Sequence, residues 1–109
     1  MNPKNTPYFV TIVTTEFSGH DPEGYEAYRK ELSAIVAKQT GFIGADLSFD
    51  GQKTISLTYW ESEEAMVAWS KSTEHQETKN KSHAGGWYNS LRLEIAQVTT
   101  AMKFPPSNS

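Results

Sequence analysis

The chain has 109 residues, a length that buries roughly two thirds of its unfolded surface and suits one domain with a single core. It has no cysteine, which excludes disulfides, thiolate metal sites and a cysteine nucleophile and agrees with a reducing cytosol. A formal net charge of -3 without a clustered basic face argues against a nucleic-acid partner, and no run approaches the roughly twenty apolar residues of a membrane span, so the expectation is a cytoplasmic domain.

The first element in chain order is "YFVTIVTTEF". Val10 and Ile12 fall on one face and Phe9, Val13 and Phe17 on the other, so this is a strand apolar on both sides, suited to the middle of a sheet. A helix follows, with Asp21 as N-cap, Pro22 at the first position, Tyr25, Tyr28, Leu32 and Ile35 at helical spacing, and Gly41 as the stop. Glu26, Lys30 and Lys38 occupy its opposite face. "FIGADLSF", the turn "DGQK" and "TISLTYW" predict a hairpin, because Asp-Gly suits tight turns.

Ser62, followed by Glu63 and Glu64, opens a second helix through Ala65, Met66 and Trp69, its acids placed where the helix dipole favours them. The last strand lies in "SLRLEIAQVTTAMKF", which alternates Leu91, Leu93, Ile95 and Gln97 against Arg92, Glu94, Ala96 and Val98. The order β-α-β-β-α-β is the split βαβ of an α+β, ferredoxin-like sandwich with an antiparallel sheet and helices on one face. One domain is expected, its core at about 8–102 and a flexible tail at 103–109. The free sheet face then predicts packing on a second copy, giving a homodimer.

Between Trp69 and Trp87 the chain reads "SKSTEHQETKNKSHAGG", with no aliphatic side chain larger than Ala84. Thr73 and Gln76 fit a capping box that restarts a helix, and Glu77 and Lys81 are spaced as an ion pair one turn apart. In an unbroken helix Trp69, Thr73, Gln76, Asn80, His83 and Trp87 share a stripe. Burying that polar stripe dry would cost about 1–3 kcal/mol per unsatisfied group, so it faces solvent or lines a wet or ligand-filled cavity. His75 lies off the stripe, either as a surface bystander or as a group for proton transfer. His20 reads as a turn residue and His83 as a cation near the helix C-terminus. No histidine pair at i, i+4 with a carboxylate supports a helical metal site.

The segments "GFIGADLSFD", "ISLTYWESEEAMVAW", "TEHQETKN" and "WYNSLRLEIAQV" occur in an order that resembles the antibiotic biosynthesis monooxygenase domain family, from about Tyr8 to Met102. The resemblance implies a dimeric α+β barrel. It also implies a small-molecule ligand and cofactor-independent monooxygenase chemistry on a small organic substrate, aromatic or phenolic. In that chemistry the substrate carbanion itself reduces oxygen, so the protein supplies a dry pocket, a base and hydrogen bonds to the oxyanion.

On this reading Trp69 and Tyr59 are pocket walls, His75 is a base or orienting donor, and Trp87 and Arg92 are donors. Thr73, Gln76 and Asn80 supply the polar wall. Each has a plainer role: Tyr59 and Trp69 as core, Trp87 as interface, Arg92 as a partner for Glu94. The different-class alternative is a non-enzymatic ligand-binding or stress-related dimer. Haem-degrading relatives carry an Asn on strand one, a Trp on helix two and an iron-binding His further on. Trp69 matches, but "YFVTIVTTEF" has no Asn and Lys79 stands at the His position, which disfavours haem; His75 or His83 would bind iron only in an offset helix.

Overall fold

The computed structural model describes residues 6–105. Its elements are β1 (Tyr8–Phe17), α1 (Pro22–Ala37), β2 (Phe42–Phe49), β3 (Lys53–Trp60), α2 (Glu63–Lys71), α3 (Thr73–Gly85) and β4 (Tyr88–Val98). They form one antiparallel sheet in the order β2-β3-β1-β4. The α+β, ferredoxin-like expectation is met, with one addition: the second helical segment is two helices. β1 is central, as its two apolar faces require.

Local side-chain chemistry sets most of the boundaries. Asp21 adopts the left-handed conformation (φ 47°, ψ 68°), and its Oδ1 accepts from Gly24 N at 3.1 Å, with Pro22 opening α1 behind it. Asp50 Oδ1 accepts from Gln52 N and Lys53 N, both at 2.8 Å, and closes the β2–β3 hairpin. Ser62 Oγ accepts from Ala65 N at 3.1 Å and starts α2.

Four expectations need correction. α1 ends at Ala37, four residues before Gly41, with Lys38 as its cap. The cap of α3 is Ser72 and not Thr73: Ser72 is extended (φ -70°, ψ 152°), so it ends α2 and starts α3 at once. Lys81 pairs with Glu31 of α1 and not with Glu77, since tertiary contact outcompetes a weak pair along the helix. β4 begins at Tyr88 and stops at Val98, and a bulge opposite Glu16 and Phe17 turns Tyr88 to the helix side. Most of the predicted tail lies outside the described residues; within them, Met102 and Phe104 are exposed.

Directly opposed residues of an antiparallel sheet share a face. Phe9, Thr11, Val13 and Thr15 therefore stand with Trp60, Thr58, Ser56 and Thr54, and with Gln97, Ile95, Leu93 and Leu91, on one side. The helices cover that side through two clusters. Tyr25, Tyr28 and Trp87 hold one, with Phe17, Phe49 and Tyr88; Val36, Trp60 and Met66 hold the other, with Phe9, Phe42 and Trp69. Leu32 touches both, so α1 ties the two ends of the sheet together. Trp60 is fully buried, and truncating a ring of that size costs about 3–5 kcal/mol. The other face carries Val10, Ile12, Ile55, Leu57 and Tyr59.

Candidate functional site

The chain break between α2 and α3 brings two of the sequence-predicted site residues together. Ser72 Oγ donates to Trp69 O at 2.8 Å and accepts from His75 N at 3.0 Å, so one hydroxyl closes one helix and opens the next. The turn places the Trp69 and His75 rings 5.0 Å apart at 57°. His75 Nδ1 lies 3.0 Å from Ser70 O. A carbonyl oxygen accepts and never donates, so this contact assigns the proton of the neutral ring to Nδ1 and leaves Nε2 with its lone pair. That is the tautomer of a general base. Behind it, Trp69 stacks on Trp60 with centroids 6.5 Å apart and 24° between planes. Trp60 Nε1 is buried without a hydrogen-bond partner among the described residues.

The other candidates stand elsewhere. Thr73, Gln76, Asn80 and His83 are exposed. The stripe that joined them to Trp69 assumed continuous winding, and the extended Ser72 resets the phase, so the inner side of α3 carries His75, Thr78, Ser82 and Gly85 instead. Tyr59 is the direct partner of Val10 on the face without helices. Its hydroxyl donates to Asp46 Oδ2 at 3.0 Å, and its ring meets Tyr8 edge-on at 5.9 Å. Burial first, then the Asp46 acceptor, raises its pKa. The sheet thus separates Tyr59 from Trp69.

Arg92 shares the Tyr59 face and pairs with Glu94 at 3.1 Å, both side chains exposed, which is the plainer of its two expected roles. Trp87 is buried beside Tyr28, their rings 4.9 Å apart, at the far end of α3 from His75. Lys79 and His83 are exposed.

Two features were missed in the sequence. The first is a group of phenols: Tyr25 OH lies 2.8 Å from Thr54 Oγ1, Tyr28 OH donates to Thr78 O at 3.3 Å, and Tyr88 packs edge-on to Tyr25 at 5.8 Å. Burial raises the pKa of Tyr28 and Tyr88, so these hydroxyls stay neutral donors at physiological pH. The spacing of Tyr25 and Tyr28 marked them as inward-facing but said nothing of Tyr88, which needs the bulge.

The second is an apolar shelf. Leu91, Leu93 and Ile95 stand on the helix side of β4 yet are 55%, 52% and 56% exposed, because α3 packs on α1 and α2 and leaves this edge strand open. A shallow groove of about 340 Å³ on α2 is lined by Glu63, Glu64, Val67 and Ala68 and includes neither Trp69 nor His75.

A four-stranded β2-β3-β1-β4 sheet under helices, with Trp69 and His75 held at the helix break, defines a small α+β domain with its candidate site on the helix side. The family comparison is specific. Residues 7–81 match the model of the antibiotic biosynthesis monooxygenase family, and the chain belongs to that family. It is 33% identical over 94 residues to the uncharacterized protein YqjZ of Bacillus subtilis (strain 168), covering 84% of this chain and 80% of YqjZ. Among solved structures it is similar to SnoaB, a cofactor-independent oxygenase from Streptomyces nogalater, at TM-score 0.71 and 14% identity, over 92% of this chain and 99% of SnoaB. It is also similar to protein SO0527 from Shewanella oneidensis, at TM-score 0.75 and 13% identity, over 89% and 96% of the two chains. At those identities the structural likeness speaks for the fold.

Proposed function

We propose that the chain is a cofactor-independent monooxygenase acting on a small, electron-rich organic substrate of the phenol or anthrone type. Family membership supports the class of chemistry, and the observation that carries the reading is His75, whose Nδ1 lies against Ser70 O and whose ring lies 5.0 Å from that of Trp69, so that in the neutral ring Nε2 is the free acceptor. A base in that state removes a proton from an acidic substrate C–H or O–H, and the delocalised anion then reduces oxygen. For an anthrone, the ring CH₂ becomes C=O. One oxygen atom of O₂ enters the product, and the other leaves as water with the two hydrogens lost from carbon, so no external reductant is required.

Trp69 supplies a flat wall for an aromatic substrate, and the shelf of Leu91, Leu93 and Ile95 supplies apolar surface on the same side of the sheet. Tyr59 and Arg92 stand on the other face, where Ile12, Ile55 and Leu57 offer apolar surface for pairing of two copies as a homodimer. Sedimentation of the full chain tests the pairing.

The stacking of Trp69 on Trp60 favours a second reading, in which Trp69 and His75 only complete the core of a ligand-binding or stress-related dimer. Oxygen uptake across a panel of phenols and anthrones separates the two. Under the first reading His75→Ala lowers the rate by about 10²–10⁴-fold, the range of a lost general base. An unchanged rate in both His75→Ala and Trp69→Phe, or no uptake by the wild type across the panel, removes the oxygenase reading.

A further inference from the structure

We infer that α3 is a lid, hinged at Ser72 and at Gly85–Gly86, which swings as a unit away from α1 and carries His75 with it. Helices are normally held to a domain by an apolar face. α1 buries Tyr25, Tyr28 and Val36, and α2 buries Met66 with Ala65, Val67 and Trp69 beside it. α3 has no such face: Thr78 is its one buried residue, and its one alanine, Ala84, is exposed. A helix without apolar burial belongs to the low-stability end of a structure, where segments open locally while the rest stays folded.

What holds α3 to α1 is polar and mostly exposed, while toward α2 the His75 ring rests on Trp69. Gln39 Nε2 donates to Glu74 Oε1 at 3.2 Å, Tyr28 OH donates to Thr78 O at 3.3 Å, and Lys81 pairs with Glu31. Tyr28 and Glu31 are on α1 and Gln39 directly follows its cap, so breaking these contacts frees the helix from one neighbour without opening the sheet. The ends suit a hinge. Ser72 is extended between two helices, and Gly86 is in the left-handed region at φ 63°.

Lifting α3 moves the His75 ring relative to Trp69 and widens the approach to the helix side of β4. The motion itself does not depend on the oxygenase reading; its role in admitting substrate does rest on that reading.

Hydrogen exchange of the full chain without substrate, read by mass spectrometry, tests the motion independently of any activity. The amides from Glu77 to Gly85 are expected to share one exchange rate, at least tenfold faster than those of α1 and β1. The double variant Glu31→Gln, Gln39→Ala cuts two latches from the α1 side. It is expected to speed α3 by a further severalfold while α1 and β4 are unchanged. Protection of α3 equal to that of α1, a graded loss of protection running inward from its ends, or equal acceleration of α1 and α3 in the double variant would overturn the lid.

Discussion

Trp69 stands in the last turn of α2 and His75 in the first turn of α3, and their rings meet 5.0 Å apart across one serine whose hydroxyl serves both helix ends. The pair is therefore set by backbone capping as much as by its own contact. Ser72 fixes where the chain turns, Ser70 O fixes which ring nitrogen holds the proton, and Trp60 fixes the plane against which Trp69 lies.

Ser72→Ala removes both capping bonds and leaves the N-terminus of α3 without its side-chain acceptor. The expected cost is about 1 kcal/mol, the usual value of a lost N-cap. Because α3 buries so little, the loss falls first on local order there. Urea unfolding should show a modest shift in midpoint, and the His75 ring resonances should move toward those of a solvated imidazole. Ser72→Asp, which keeps an acceptor for His75 N, should restore most of the midpoint. Unchanged His75 resonances in Ser72→Ala would show that the cap does not position the ring.

Signals confined to a few neighbouring residues were legible in the sequence. Asp21 and Ser62 cap because their side chains bond the backbone three residues on, and β1 is central because it is apolar on both faces. Ser72 and Thr73 are adjacent and equally suited to capping, so the choice between them depends on where α2 stops. The extended Ser72 breaks the winding between the two helices, so the stripe expected of one continuous helix is lost and Thr73, Gln76 and Asn80 turn outward. The separation of Tyr59 from Trp69 was legible in principle. Adjacent strand residues point to opposite faces, so Tyr59 and Trp60 could not both meet a helix. The half-exposed shelf at Leu91, Leu93 and Ile95 was not legible, because whether an apolar strand face is covered depends on where a distant helix packs.

The buried phenols give the fold an alkaline limit. Burial raises the pKa of Tyr28 and Tyr88 above the ordinary value of 10.0, so between pH 10 and their folded pKa values the native state binds more protons than the unfolded state. Stability that is complete below pH 10 is therefore lost as pH rises through that window. Tyr88→Phe removes one of the two groups and should flatten the decline. Thermal midpoints measured from pH 8 to pH 12 test the slope, and phenolate absorbance should show these tyrosines ionising together with unfolding. A decline of equal steepness in Tyr88→Phe would exclude Tyr88 as its source.

The two glycines ending α3 are required for different reasons, and their alanine variants should separate. A Cβ on Gly85 would stand 2.6 Å from Trp87 Cε2, inside the ring of a residue that is 6% exposed and packed on Tyr28. Relief requires moving a buried indole, at about 1–3 kcal/mol for an overpacked site. A Cβ on Gly86 would meet nothing within 4 Å, so the cost there is backbone strain at φ 63°, on the order of 1–2 kcal/mol. Both variants should unfold at lower urea, but only Gly85→Ala should change the tryptophan fluorescence of the folded state, because only it displaces Trp87. In a Trp87→Phe background, whose smaller ring leaves room for the methyl, Gly85→Ala should cost less while Gly86→Ala costs the same. Equal penalties for Gly85→Ala in the two backgrounds would show that its burden is not steric contact with the indole.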